Sequence, residues 1–128
     1  MPYLNYTASA EMMSLIMLVS FSQTNKLLVM ENVKLELNEK GHGHFYIAND
    51  EETIAEITIG ISGNDLTVYH TEVLPKAEGK GLAKELLKSM VDYARKHHLK
   101  VTALCPYVFA QFKRHPEEYE DIWKKDFQ

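Results

Sequence analysis

Hydrophobic and polar positions follow two different periods along this chain, and the switch between them divides it. Val33, Leu35 and Leu37 alternate with Lys34 and Glu36, the period of two expected where one face of a strand is buried. Gly41 and Gly43 punctuate that run. Phe45 to Ala48 forms a second run ending at the turn-prone Asn49-Asp50, and Thr53 to Ile61 forms a third, rich in β-branched residues. Ser62-Gly63-Asn64-Asp65 supplies the next turn, after which Leu66 to His70 reads as a fourth strand. Connections this short make the four neighbours antiparallel. The period then changes. Leu82, Leu86, Leu87, Met90, Val91 and Ala94 recur at helical spacing, while Lys84, Lys88, Asp92 and Lys96 occupy the other face. Lys100 to Leu104 reads as a fifth strand. Pro106 suits the first turn of a helix carrying Val108, Phe109 and Phe112, which His115-Pro116 ends. Glu117 to Lys125 is predicted to form a final short helix, with Ile122 and Trp123 capping the core. The pattern specifies an α+β domain, an antiparallel meander followed by strand, helix, strand and helix.

The first 29 residues differ in character, carrying one acidic residue, Glu11, one basic residue, Lys26, and the apolar stretch Met12 to Phe21. Ten positions, two of them serine, fall short of the roughly 20 apolar residues a membrane helix needs. No Lys or Arg precedes Met12, which argues against a secretory signal. Met12, Leu15, Ile16 and Val19 are spaced for one face of a short helix docked on the body or on a partner, and a loosely attached extension fits equally well. The functional domain is therefore read as residues 30–128, beginning at Met30, with residues 1–29 an amino-terminal extension whose role stays open.

Composition narrows the field. A chain of 128 residues, 45% hydrophobic and 25% charged, has the size and balance of one compact domain. Its formal charge of -4 is the opposite of what non-specific nucleic-acid binding requires. The single cysteine, Cys105, cannot form an intrachain disulfide, so a reducing cytoplasm is the expected setting. Neither nucleic acid nor membrane is an expected partner.

Chemistry concentrates where the fourth strand gives way to the long helix, at Glu78-Gly79-Lys80-Gly81-Leu82-Ala83. Backbone N–H groups at a helix start have no intrahelical acceptor, glycines let a phosphate come close, and the helix dipole adds roughly half a positive charge there. Lys80 adds a full one. The plainer reading is that the two glycines only make a tight strand-to-helix turn. Two common phosphate loops are excluded: there is no Gly-x-x-x-x-Gly-Lys-Ser/Thr, and Lys84 stands where Gly-x-Gly-x-x-Gly needs its last glycine.

These residues resemble the GCN5-related N-acetyltransferases, whose acetyl-coenzyme A signature is Arg/Gln-x-x-Gly-x-Gly/Ala at the start of a long helix. The chain matches at Gly81 and Ala83. It departs at Glu78, which replaces Arg or Gln and works against pyrophosphate binding, although the family relies there mainly on backbone amides. His70-Thr71-Glu72-Val73 before the loop, Leu104-Cys105-Pro106-Tyr107-Val108 after the helix, and His115-Pro116 with Tyr119 near the end look like the small single-domain subgroup of YjdJ type. The resemblance spans roughly Met30 to Trp123.

It implies a mostly antiparallel, twisted sheet with one splayed strand pair, packed by a long central helix and shorter carboxy-terminal helices. It also implies an acetyl-coenzyme A dependent transferase, without a metal, acting on a primary amine of a small molecule or protein lysine. The pantetheine arm would enter between Leu66–Val73 and Lys100–Leu104, bonded by the backbones of Val73 and Leu74. Gly79, Lys80, Gly81, Leu82 and Ala83 would cradle the pyrophosphate. The acetyl carbon would lie close to His70, Glu72 and Cys105. Cys105 precedes a helix whose dipole favours a thiolate, and the subgroup resemblance implies a role for it as transient acetyl carrier or as acid to the departing thiolate. A buried, inert cysteine fits the same position. In direct attack by the amine, the wider family's default, His70, or Glu72 through a water, would take the proton. Strand alternation puts His70 and Glu72 on one face.

Other features carry less. His42 and His44 share a strand face but have no third ligand at metal spacing. His97-His98 suits a solvated helix end, and Tyr107, Phe109, Phe112 and Trp123 read as core or rim aromatics. Glu78 and the lack of an unmistakable base keep a second class open, a non-catalytic coenzyme A or acyl-coenzyme A binding module.

Overall fold

The computed structural model describes residues 33–125. The apolar stretch of residues 12–21 and the domain start at Met30 lie outside them. Five strands form one sheet in sequence order: β1 Lys34–Leu37, β2 His42–Ala48, β3 Thr53–Ser62, β4 Asp65–Val73 and β5 Lys100–Ala103. The first four are successive antiparallel neighbours, and β5 joins β4 in parallel. A parallel pair needs a long crossover, which Leu82–Lys96 (α1) provides after a short 3₁₀ turn at Pro75–Ala77. α2 is Pro106–Arg114 and α3 is Pro116–Tyr119.

Alternation divides the sheet into an apolar and a polar face. Phe45, Ile47, Ala55, Ile57, Ile59, Leu66 and Val68 are buried, and α1 lays Leu86, Leu87, Met90, Val91 and Ala94 into the same core. α1 packs against β2, β3 and β4, while α2 packs against β4 and β5. Val108 and Phe112 of α2 are fully buried, the Phe112 ring lying 4.6 Å from that of Tyr119 and 5.6 Å from that of Trp123. Arg95 and Lys96 in the last turn of α1 complement its dipole.

Two sequence expectations need correction. Gly43 does not end β1 but lies inside β2, directly opposite Leu37. A Cβ there would overlap the Glu36 carbonyl, so this glycine is what lets the two backbones approach. The helix expected over Glu117 to Lys125 stops at Tyr119. Beyond it the chain turns to run alongside β5, with Val101 donating to the Ile122 carbonyl at 2.6 Å and Lys124 donating to that of Val101 at 2.8 Å. Sheet bonding on an otherwise open edge of β5 outweighs helix continuation. Arg95 fastens this turn to α1, its Nε 2.8 Å and its Nη2 3.2 Å from the Asp121 carboxylate and its Nη2 2.6 Å from the Glu118 carbonyl.

Two predictions come from these contacts. Gly43→Ala must lift β1 from β2 and should cost about 1–3 kcal/mol, read as a lower urea midpoint. The hydrogen bond from Arg95 holds the Asp121 carboxyl below its ordinary value. A depressed carboxylate stabilises above its unfolded pKa, near ~3.9, and loses that contribution as pH falls through the folded value. Asp121→Asn should therefore trail the wild type by up to about 1 kcal/mol at neutral pH, the pair being solvent-exposed, and converge with it in acid.

Candidate active site

The parallel pairing of β4 with β5 is short. It runs from Asp65–Lys100 to Val68–Ala103, and then the Val68 carbonyl accepts from both Leu104 and Cys105, at 3.0 and 2.9 Å. Tyr69 to Val73 have no partner in β5. On its other side β4 stays bonded to β3 as far as Val73. A gap therefore opens between β4 and the end of β5, beginning at Val68.

The ladder dictates which backbone groups face that gap. Leu74 donates to the Ile54 carbonyl at 2.9 Å, so it takes a hydrogen-bonded position of the ladder and the next pair, Val73 with Ala55, a non-hydrogen-bonded one. The N–H and C=O of Val73, and by the same alternation those of Thr71, point away from β3 into the gap. Leu74 has both backbone groups engaged within the protein, its carbonyl accepting from Ala77 at 2.8 Å. Of the two residues expected to bond a pantetheine arm, only Val73 presents its backbone.

A β-bulge sits at the mouth of the gap. Ile59 pairs with Val68 and Thr58 with His70, leaving Tyr69 without an opposite number. The extra residue restores the inward direction at Thr71, opposite the buried Ile57, and leaves Tyr69 and His70 adjacent and exposed. Glu72 lies opposite Glu56 on the polar face, and His70 lies opposite Thr58 on that same face. His70 and Glu72 do share a face, as alternation requires. Cys105 is elsewhere: it is 1% exposed, immediately precedes α2, and has its Sγ 3.1 Å from Thr71 Oγ1. The structure thus pairs Cys105 with Thr71 on the inward side and places His70 and Glu72 on the outward side.

Thr71 was not among the sequence candidates. The signal for it is a polar residue at an inward position of a strand whose other inward residues, Leu66 and Val68, are apolar, and it becomes visible only once the bulge is counted. Tyr107, half-buried, interacts electrostatically with Cys105. Burial first, and the neighbouring Cys105 second, push its phenol above the ordinary tyrosine value, so it keeps its proton at neutral pH.

The loop before α1 supplies the second half of the site. Gly79 and Gly81 adopt left-handed backbone, with φ of 84° and 75°, and a Cβ on either would meet nothing within 4 Å. Gly81 caps α1 without any side-chain hydrogen bond. The first amide of this region with a protein acceptor is that of Glu85, bonded to the Gly81 carbonyl at 3.1 Å. The six amides from Gly79 to Lys84 donate to no acceptor among the described residues. Lys80 is exposed beside them, and so is Glu78. Consecutive unpaired N–H groups, positive dipole and open approach fit a diphosphate.

The remaining histidines do not build a centre. His44 Nδ1 contacts the Glu56 carboxylate and its ring stacks on Tyr46, and among the described residues no group of His, Cys, Asp or Glu could hold a metal ion. No described helix is long and apolar enough to cross a membrane.

Comparison with known proteins agrees with this geometry. A family model described as GCN5-related N-acetyl-transferase matches residues 44–122, more than half of the chain. The chain is similar to a solution structure described as a GCN5-like N-acetyltransferase from Staphylococcus aureus, at 32% identity and a TM-score of 0.55, covering 72% of this chain and 88% of that one. A ribosomal-protein-alanine N-acetyltransferase from Brucella melitensis aligns at 18% identity and a TM-score of 0.48, covering 63% of this chain and 64% of that one, a likeness too slight to argue from. A search of curated protein sequences returns no significant match. The sheet that parts beside an amide-lined helix start, together with the match over residues 44–122, makes this chain a member of the GCN5-related N-acetyltransferase family.

Proposed function

We propose that the protein transfers an acetyl group from acetyl-coenzyme A to a primary amine. The observation that carries the reading is the run of six amides from Gly79 to Lys84 without acceptors among the described residues, at the start of the long helix that comes after the parted strand and its 3₁₀ turn. The pyrophosphate binds to the amides of Gly79, Lys80, Gly81, Leu82 and Ala83, with Lys80 adding charge. Because Glu78 opposes the anion, backbone groups must supply most of the binding. The pantetheine arm lies in the gap and exchanges hydrogen bonds with Val73, as a short strand would.

The thioester then reaches the place where β4 and β5 part. An amine approaching from the polar face meets His70, which takes the ammonium proton, with Glu72 one pleat further along the strand. The nitrogen forms a bond to the acetyl carbon, the carbon–sulfur bond breaks with its electron pair going to sulfur, and coenzyme A leaves as a thiolate that is then protonated. Tyr107, protonated and beside Cys105, is a phenol able to protonate the leaving sulfur. A second reading rests on the contact between Cys105 and Thr71 at the edge of the gap: Cys105 accepts the acetyl group first and passes it to the amine. Its 1% exposure and its position on the inward side favour direct transfer.

The finer assignments follow from the same residues. We propose membership of the small single-domain YjdJ-type subgroup on the resemblance of His70–Val73, Leu104–Val108, His115-Pro116 and Tyr119. Its setting is proposed to be the cytoplasm on its lone cysteine, and its acceptor a small amine or a protein lysine.

Calorimetry with acetyl-coenzyme A tests the loop. Gly81→Val places a branched side chain where the phosphates approach and should weaken binding at least tenfold, and Lys80→Ala, which leaves the backbone alone, should weaken it a few-fold. Unchanged affinity in a folded Gly81→Val protein removes the loop from the site. His70→Gln should lower kcat by about 10²–10⁴-fold with coenzyme affinity intact. Rapid-quench intact mass should show no acetyl group on Cys105, and an acetylated species would establish the covalent route instead. Tight binding with no transfer to any amine in a panel would identify a coenzyme A binding module.

A further inference from the structure

The outward side of the gap carries apolar surface that packing does not explain. Among the described residues only three large hydrophobic side chains are exposed: Leu37 at 39%, Tyr69 at 45% and Leu104 at 54%. Leu37 belongs to the edge strand. The other two flank one atom, since Tyr69 follows Val68 in β4 and the N–H of Leu104 is bonded to the Val68 carbonyl. Single exposed hydrophobics are ordinary, but two adjoining ones at the mouth of a site are not.

Their direction is built into the backbone. Ala103 pairs with Val68 and is buried with it, so Leu104, one residue on, takes the opposite, polar side. Tyr69, one residue after the buried Val68, takes that side as well, and the bulge brings His70 to it beside the tyrosine. The absence of a side chain at Gly60 makes room for the ring: a Cβ there would stand 3.2 Å from Tyr69 Cε2, 3.3 Å from its hydroxyl and 3.1 Å from His42 Cδ2. A glycine in the interior of β3 weakens the strand, and here it makes room for the tyrosine.

The same face carries an electrostatic cost. Glu56 and Glu72 stand directly opposite each other on β3 and β4, an arrangement that destabilises a sheet. His44 Nδ1 contacts the Glu56 carboxylate, whereas Glu72 makes no ion pair among the described residues. A cationic ligand relieves that repulsion.

We propose that Tyr69 and Leu104 form an apolar clamp for the acceptor, and that the enzyme therefore prefers amines carried at the end of an alkyl chain over compact or hydroxylated amines. The inference rests on the N-acetyltransferase reading above. The methylenes lie between the tyrosine ring and the leucine, the nitrogen is delivered beside His70, and the Glu72 carboxylate favours the ammonium form during approach.

A series from propylamine to hexylamine, with glucosamine as the hydroxylated comparison, tests this in the full chain with acetyl-coenzyme A. Acetyl-coenzyme A affinity is measured separately by calorimetry for each protein. For the wild type, kcat/KM should rise roughly two- to four-fold per added methylene until the clamp is filled, with glucosamine below hexylamine. Tyr69→Ser and Leu104→Ser, both at exposed positions, should flatten that rise while leaving acetyl-coenzyme A affinity as it was. Transfer with no dependence on chain length, or with the same rise in both variants, overturns the clamp alone, whereas coenzyme binding with no transfer to any amine tested overturns the transferase reading and the clamp with it. Failure of the wild type to bind acetyl-coenzyme A overturns the transferase reading and the clamp with it.

Discussion

Backbone hydrogen bonding in β4 is the constraint from which the site arises. A strand inside a sheet must satisfy two rows of N–H and C=O groups, and burying either row unpaired costs free energy. β4 meets the requirement on the β3 side along its full length, but on the β5 side only as far as Val68. Past that residue the groups of Thr71 and Val73 face an opening instead of a strand. The fold tolerates this because the opening is reached by solvent and suits an extended ligand with its own donors and acceptors.

Much of this organisation was legible in the sequence. The alternation in Leu35–Leu37 and Thr53–Ile61 located strands correctly, and the spacing of Leu82, Leu86, Met90 and Ala94 located α1. The glycine loop was visible because a run of two glycines with a lysine at a helix start has a direct electrostatic meaning. The parts that stayed hidden depend on contacts between segments distant in sequence. Gly43 looked like a loop residue, since nothing local reveals that the Glu36 carbonyl comes so close. The end of α3 at Tyr119 is decided by the open edge of β5, which no local propensity encodes. The bulge at Tyr69 was unreadable for a similar reason, as an inserted residue shows only against the register of its partner.

That one extra residue reorganised the catalytic candidates. Without it, Thr71 would point outward and His70 inward. With it, the strand offers Thr71 to Cys105 on one side, and Tyr69, His70 and Glu72 on the other. The sequence placed His70, Glu72 and Cys105 around one carbon, whereas the structure distributes them across two sides of the sheet. The opening has an outward side lined by Tyr69, His70 and Leu104 and an inward side at Cys105, which gives direct and covalent transfer different stereochemical demands.

The doubly bonded carbonyl of Val68 acts as a pivot as well as a boundary. Walls that diverge from a fixed point form a wedge, and anything threaded in from the wide end halts where the taper equals its own thickness. Penetration depth is then limited by girth as well as by how the far end of the guest is anchored. Such a taper works as a gauge, and its vertex is set by one backbone carbonyl that accepts twice.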